Sequence, residues 1–448
     1  MENIMKIFFV SLGCDKNLVD SEMMIGILAD RGHTITDDEK EADVIVVNTC
    51  CFILDAKQES IDTILQMAEL KEKGKTKVLL VTGCLGERYR EEIQNEIPQV
   101  DAILGTNSFD KIADAIDEVM AGKGQNYFND IQAVPVHGHK RMVTTGGHYA
   151  YLKIAEGCDK HCTYCIIPKI RGNYRSVPME VLVNEAQKLA SDGVKELILV
   201  AQETTVYGKD LYGKKSLPEL LKKLAAIEEI EFIRILYCYP EEITPELIQV
   251  MKEEKKICHY LDMPIQHASD NVLKRMGRRT NSEELRAIVT TLRKEIPDIC
   301  LRTTLITGFP GETNKDFAHL KDFVKEMRFD RLGVFPYSPE EGTGAAMMKN
   351  QIPAFIKNHR RNQIMKLQQE IAFEKAAEMI GKTLKVMIEG KLPEDGVFIG
   401  RTYKDAPNVD GMIFINSRRE LVTGDIIEAV VTDSHEYDLI GEESALDR

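Results

Sequence analysis

The chain has 448 residues, 43% hydrophobic and 29% charged, with a net charge of −14. This is the composition of an ordinary globular protein with room for about two to four domains, and it excludes a disordered or collagen-like chain. No apolar run approaches the roughly 18 residues of a membrane helix. The opening MENIMKIFFVSLGC imitates a short lipoprotein signal, but its apolar core is at the lower limit of length and reads better as a buried strand. Ten cysteines are too few for a disulfide scaffold and suit ligands in a reducing compartment. A cytoplasmic protein without a membrane partner is therefore expected.

Residues 1–127 alternate apolar runs with helical patterns. Residues 6–13, 43–48, 77–83 and 101–105 read as buried strands, and 19–29, 54–70 and 87–97 as helices. Such alternation predicts a parallel sheet covered on both faces. Three of the strands run into a cysteine: Cys14, Cys50 and Cys84. Open α/β sheets place ligands beyond the carboxyl ends of their strands, so these thiols should meet on one edge as three ligands of an iron–sulfur cluster. Cys51, next to Cys50, reads as packing. The bland alternative for all of them is a set of buried core thiols.

Residues 128–148 read as a linker. Its H-x-H of His137 and His139, with His148 just after, reads as solvated. Then comes CDKHCTYC, with Cys158, Cys162 and Cys165 spaced C-x3-C-x2-C. Three thiols in one compact loop suit a cluster of four irons and leave one iron open for chemistry. A zinc loop with His161 as fourth ligand is the rival, although His161 does not stand at the usual spacing.

From residue 149 to 367 the strand–helix alternation resumes. Strands are expected at 196–202, 232–239, 260–266, 301–308 and 332–337, after one entering the cysteine loop. Six such units are too few for a closed eight-stranded barrel. Polar or Gly/Pro residues follow the apolar runs at AQET, CYP, PIQHAS and TGFPGET, so these strand ends should line a site. Cys238, Cys258 and Cys300 read as inert core thiols, and the basic run KRMGRR (274–279) as a solvated face. A helical stretch, 354–380, leads to short alternating runs at 383–388, 397–400, 412–415 and 425–431, a small β-barrel. Its residues 381–440 hold 11 Asp and Glu against 7 Lys and Arg, which disfavours a phosphate-gripping surface.

C-x3-C-x2-C after a strand resembles the signature of the radical S-adenosylmethionine enzymes. SLGCDKNLVDSE, VNTC and TGC ahead of it resemble the amino-terminal domain of the methylthiotransferases, and the terminal barrel resembles the TRAM module appended to them. SLGC-x-KN-x-VDSE is most similar to the branch acting on an aspartate of ribosomal protein uS12. The resemblance implies a flavodoxin-like domain at 1–127, a partial (β/α)6 radical barrel at 149–367, a connecting helix at 368–380 and a TRAM domain with its tail at 381–448. It implies two 4Fe–4S clusters, at Cys14, Cys50 and Cys84 and at Cys158, Cys162 and Cys165. It also implies S-adenosylmethionine held near Tyr164, Gln202, Gln266, Thr307, Gly308 and Pro310. In the family one S-adenosylmethionine methylates sulfur on the first cluster and a second yields the radical that activates the aspartate β-carbon, so the clusters should face each other across the domain boundary. The implied partners are uS12 or the small ribosomal subunit and a reductant such as flavodoxin or ferredoxin; direct RNA binding is left open. The rival substrate within the family is a tRNA adenosine.

Overall fold

The computed structural model describes residues 4–138, 140–393 and 396–444. His139 of the H-x-H pair lies outside them. The chain divides into two compact units. One holds residues 1–144, 153–181 and 338–346; the other holds 145–152, 182–337 and 347–448.

The first unit is built on a five-stranded parallel sheet: β1 (Lys6–Ser11), β2 (Thr34–Ile35), β3 (Val44–Thr49), β4 (Val78–Gly83) and β5 (Ala102–Leu104), in the order β2-β1-β3-β4-β5. This is the flavodoxin-like order, with its crevice at the carboxyl ends of the central strands. VIVVNT and VLLVTG are buried along their whole length, which is why they read as continuous rather than alternating apolar runs. Residues 6–11 are thus a sheet strand, as the composition of the opening segment suggested. The stretch 87–97 is broken into the helices Cys84–Arg88 and Arg90–Glu96. In the same unit the short antiparallel pair β7 (Ala155–Glu156) and β8 (Arg175–Ser176) closes the base of the cysteine loop.

The second unit carries a six-stranded sheet. Its strands are β6 (Tyr149–Lys153), β9 (Glu196–Val200), β10 (Phe232–Ile235), β11 (Ile257–Asp262), β12 (Cys300–Thr307) and β13 (Arg331–Pro336), in the order β13-β12-β11-β10-β9-β6. β9 through β13 pair in parallel, and the sheet stays open, as six strand–helix units require. The helix Asp270–Met276 was not legible in the sequence, because seven residues give too little periodicity. A helix from Ala354 to Ala377 leads to a closed barrel of β14 (Thr383–Leu392), β15 (Val397–Thr402), β16 (Ile413–Asn416), β17 (Ile426–His435) and β18 (Asp438–Glu443), ordered β14-β15-β16-β18-β17.

Two polar groups contradict their sequence reading. His148 is buried, and its Nε2 lies 3.2 Å from Oε1 of Glu389 on β14; the pair takes it out of solvent. The basic run is only half a solvated face. Arg278 is buried over the Tyr239 ring, at 4.2 Å, and donates to the Pro264 carbonyl at 2.9 Å, while Arg275 Nε donates to the Pro310 carbonyl at 2.9 Å. A guanidinium can bury its stem and serve a carbonyl at once, so these two residues brace the loops beyond β11 and β12. Cys238, Cys258 and Cys300 are buried as expected.

At the amino-terminal end of β9, Glu196 is fully buried between two arginines. It accepts from Arg234 Nε at 2.8 Å and from Arg401 Nη2 of β15 at 2.7 Å. Arg234 also donates to the carbonyls of Thr402 and Tyr403. The small barrel is thereby fastened to the six-stranded sheet by a dry Arg–Glu–Arg triad.

Candidate active site

In the first unit, the three strand-end cysteines do come together at one edge. Cys14 is the N-cap of the helix Asp15–Asp30, Cys50 directly follows β3, and Cys84 opens the helix Cys84–Arg88. The approach is made possible by two glycines in the left-handed region. At Gly13 (φ +91°) a Cβ would stand 2.6 Å from Cβ and 3.0 Å from Sγ of Cys50; at Gly83 (φ +88°) it would stand 2.3 Å from Oδ1 of Asn48. Only glycine fits either place.

Two asparagines tie the strand ends. Asn17 Nδ2 donates to the carbonyls of Leu12 at 3.0 Å and Thr49 at 2.9 Å, joining the segments that carry Cys14 and Cys50. Asn48 Nδ2 donates to Asn17 O at 2.8 Å and to Ser21 Oγ at 2.9 Å. Cys50 is fixed through Ser60, whose Oγ accepts from its N–H at 3.0 Å and donates to its carbonyl at 2.8 Å. Cys51 faces elsewhere. Its Sγ donates to the Cys84 carbonyl at 3.2 Å, and it packs in the core with Ile64 and Leu85.

Burial pushes the Cys84 thiol up to about 12, against the pull of Arg171 and with Cys50 and Cys14 raising it further. Burial likewise raises Cys50. A thiolate here needs positive charge beside it, which the irons of a cluster would supply. Among the described residues no three His, Cys, Asp or Glu groups are placed to share a single metal ion. Three thiols are the soft, anionic donor set that an iron–sulfur cluster takes.

The second thiol set lies in the same unit. The loop between β7 and β8 is held by Cys158 N–H donating to the Gly172 carbonyl at 3.1 Å and by Cys165 N–H donating to the Cys162 carbonyl at 3.0 Å. Cys158 and Cys162 are buried, and Cys165 and Tyr164 half-buried. His161, the residue considered as a zinc ligand, is exposed and takes a positive φ of 51°, letting the chain turn tightly between the thiols. Burial raises the Cys165 thiol to about 12, and Cys162 and Cys158 add to that.

Between the two sets lies a buried charge network that the sequence did not disclose. Arg171 Nη1 donates to Asp20 at 2.9 Å and Glu156 at 3.2 Å; Nη2 donates to Asn17 Oδ1 and, at 3.5 Å, to Cys84 Sγ. Lys153 donates to Asp20 and, at 2.9 Å, to Glu156.

The strand ends of the second unit hold the other expected residues. Gln202, half-buried, follows β9, beside the buried Glu203, whose Oε1 accepts from Thr205 Oγ1 at 2.9 Å. Gln266 has φ +69° and pairs with β12: its N–H donates to the Thr304 carbonyl at 2.9 Å, and its carbonyl accepts from Ile306 at 2.7 Å. Tyr237, beyond β10, has φ +60°. Backbone strain of this kind concentrates at ligand-binding positions. Thr307 is buried at the end of β12, with Oγ1 donating to the Lys357 carbonyl at 3.1 Å. Glu312 Oε2 accepts from the N–H of Gly308 at 2.7 Å and of Phe309 at 3.2 Å, and Oε1 accepts from Arg360 Nη1 at 2.7 Å. Those two N–H groups are therefore already engaged within the turn. Pro310 is buried, its carbonyl taken by Arg275.

Beneath this turn His267 is fully buried. Its Nδ1 accepts from Ser269 N–H at 2.9 Å, so the ring proton sits on Nε2, 3.7 Å from Oε2 of Glu312. Burial lowers His267 from 6.5 to about 3. The folded state thus binds fewer protons than the unfolded chain between these values. Its stabilising contribution is complete above pH 6.5 and is lost as pH falls toward 3. Denaturant melts of the apoprotein over this window should show an acid limb whose slope falls by up to about 1.4 kcal/mol per pH unit in His267→Gln.

Comparison with known proteins now bears on this arrangement. The model described as Uncharacterized protein family UPF0004 matches residues 6–105, Radical SAM superfamily matches 152–324, and TRAM domain matches 380–443. A protein of Lachnoclostridium phytofermentans named ribosomal protein uS12 methylthiotransferase RimO is 66% identical over 98% of this chain and 99% of its own length. The chain belongs to the uS12 methylthiotransferase family. Proteins of the same name from Acetivibrio thermocellus and Clostridioides difficile are 52% and 51% identical, each over 98% of this chain and over 98% and 99% of their own. Two solved structures of TsrM, a radical S-adenosylmethionine methyltransferase of Kitasatospora setae, match with TM-scores of 0.54 and 0.53. They cover 75% and 73% of this chain and 77% and 72% of theirs; at 13% identity that likeness concerns the fold alone. Sequence reasoning picked out Cys158, Cys162 and Cys165 by their spacing and Cys14, Cys50 and Cys84 by their place at strand ends. It assigned no role to Asn17 and Asp20, although both stand in SLGC-x-KN-x-VDSE, and it missed Lys153, Glu156 and Arg171, whose only sequence signal is polarity near the second cysteine motif.

Proposed function

We propose that this chain methylthiolates the β-carbon of an aspartate in ribosomal protein uS12 by radical S-adenosylmethionine chemistry. The observation that carries the reading is the presence of two separate thiol triads in one compact unit, in a chain of the uS12 methylthiotransferase family. Cys158, Cys162 and Cys165 hold one 4Fe–4S cluster and Cys14, Cys50 and Cys84 the other. When bound, the first supplies the electron that cleaves S-adenosylmethionine, and the second carries the sulfur that receives the methyl group.

The chain's own residues bind, orient and shield. The glycine-permitted approach of Cys14 to Cys50 and the asparagine ties hold one triad, while the β7–β8 ladder and the turn at His161 hold the other. Tyr164, Gln202, Gln266, Thr307, Gly308 and Pro310 are the proposed S-adenosylmethionine neighbours, with Glu312, Arg275 and Arg278 bracing their loops. The functional division follows 1–127, 149–367 and 381–448, joined by 128–148 and 368–380. The acidic last segment suits a basic protein substrate better than bare RNA. A small redox protein such as flavodoxin or ferredoxin provides the electron. Among the described residues no helix is long and apolar enough to cross a membrane, and a cytoplasmic site of action is part of this proposal.

The deciding experiment offers uS12 and unmodified tRNA in parallel to the anaerobically reconstituted, reduced protein with S-adenosylmethionine, and follows methylthio addition by mass spectrometry. Addition to an aspartate of uS12 is expected. Addition to tRNA instead would overturn the substrate while leaving the chemistry, and formation of 5′-deoxyadenosine with neither product would overturn both substrates.

A further inference from the structure

The proposed chemistry needs thiols to hold the clusters, but nothing in it accounts for the guanidinium of Arg171. Arg171 is 2% exposed. Taking such a cation out of water is costly unless it is paired. Its charge is paired without any thiol, since Arg171 and Lys153 both face Asp20 and Glu156. Yet Nη2 is not spent on a carboxylate. It is aimed at the amino-terminal triad, held by Asn17 Oδ1 and standing 3.5 Å from Cys84 Sγ. Asn17 is in turn fixed by the Leu12 and Thr49 carbonyls at the ends of β1 and β3. The donor is therefore positioned by the same residue that ties the segments bearing the other two thiols.

We propose that Arg171 is a positioning residue for the amino-terminal cluster, donating an N–H to the sulfur of Cys84 and thereby raising that cluster's reduction potential. Hydrogen bonds to ligand sulfurs and nearby positive charge stabilise the reduced form, which carries one more negative charge. The inference rests on the reading of Cys14, Cys50 and Cys84 as cluster ligands.

The test uses the full chain with Cys158, Cys162 and Cys165 replaced by alanine, so that only the amino-terminal cluster loads, and it begins with iron counting. About four irons per chain sustain the ligand reading; none would overturn that reading and this inference together. Arg171→Lys and the charge-balanced double variant Arg171→Gln with Asp20→Asn are then titrated by potentiometry with electron paramagnetic resonance. The double variant is expected to shift to lower potential by at least tenfold in the reduction equilibrium, 59 mV for one electron, and the lysine variant to shift less. An unchanged midpoint in the double variant would overturn the role of Arg171 while leaving the ligands in place. Should the double variant fail to take up iron, the lysine variant decides: a lowered midpoint sustains the proposal and an unchanged one overturns it.

Discussion

Replacing Cys50 with alanine should halve the iron of the reconstituted chain, from about eight to about four atoms, whereas Cys51→Ala should keep it all. The two thiols are neighbours in sequence but face different ways. Cys50 stands against Gly13, one residue from Cys14, so close that a single methyl group there would collide with it. Cys51 is turned to the Cys84 carbonyl and the aliphatic core. Burial raises the Cys51 thiol to about 11, which suits a neutral S–H donor. Its loss should cost about 1 kcal/mol of stability, as for one buried hydrogen bond, and leave the ligand count intact. Iron and acid-labile sulfide analysis of each variant, with 5′-deoxyadenosine formation as a check on the second cluster, reads this directly. Equal iron losses in the two variants would refute the assignment of Cys50.

The largest effect on stability is expected at Glu196→Gln. The triad Arg234–Glu196–Arg401 is dry, with Glu196 and Arg234 fully buried. Burial raises the Glu196 carboxyl, but Arg401 and Arg234 overcome that and hold it below its usual range. Removing its charge leaves Arg234 without a carboxylate in the dry interior and leaves Arg401 with Glu389 alone. Breaking a buried pair from one side costs about 3–5 kcal/mol. Denaturant unfolding should show that loss, together with earlier release of the terminal barrel, since Arg401 lies on β15 and Arg234 holds the carbonyls of Thr402 and Tyr403. A loss below 1 kcal/mol would mean that water reaches the triad.

Much of the fold is legible in the sequence because its strands are buried on both faces. VIVVNT and VLLVTG announce themselves as unbroken apolar runs, and the cysteine after each marks the functional edge. The closing strand DLIGEE does not, since half of its residues are charged and only the barrel's closure gives it partners. The candidate thiols stand out for a chemical reason: few residue types bind iron, three of them share one short motif, and three others each follow an apolar run. The residues that hold them do not. Asp20 and Arg171 lie 151 positions apart, and no window of sequence pairs them. His148 and Arg278 mislead in the same way, because pairing and burial are properties of the folded chain rather than of a window of sequence.

The network around Arg171 also governs how this chain can be recombined with its relatives. A crossover placed in the segment 128–148, the natural place to exchange amino-terminal domains, separates Asn17, Asp20 and Cys84 from Lys153, Glu156 and Arg171. The two halves of such a hybrid each carry an unbalanced charge into a dry interior unless the donor supplies matching residues. A working exchange therefore has its seam beyond residue 176, where β8 closes the cysteine loop, and transfers both thiol motifs as one inherited block.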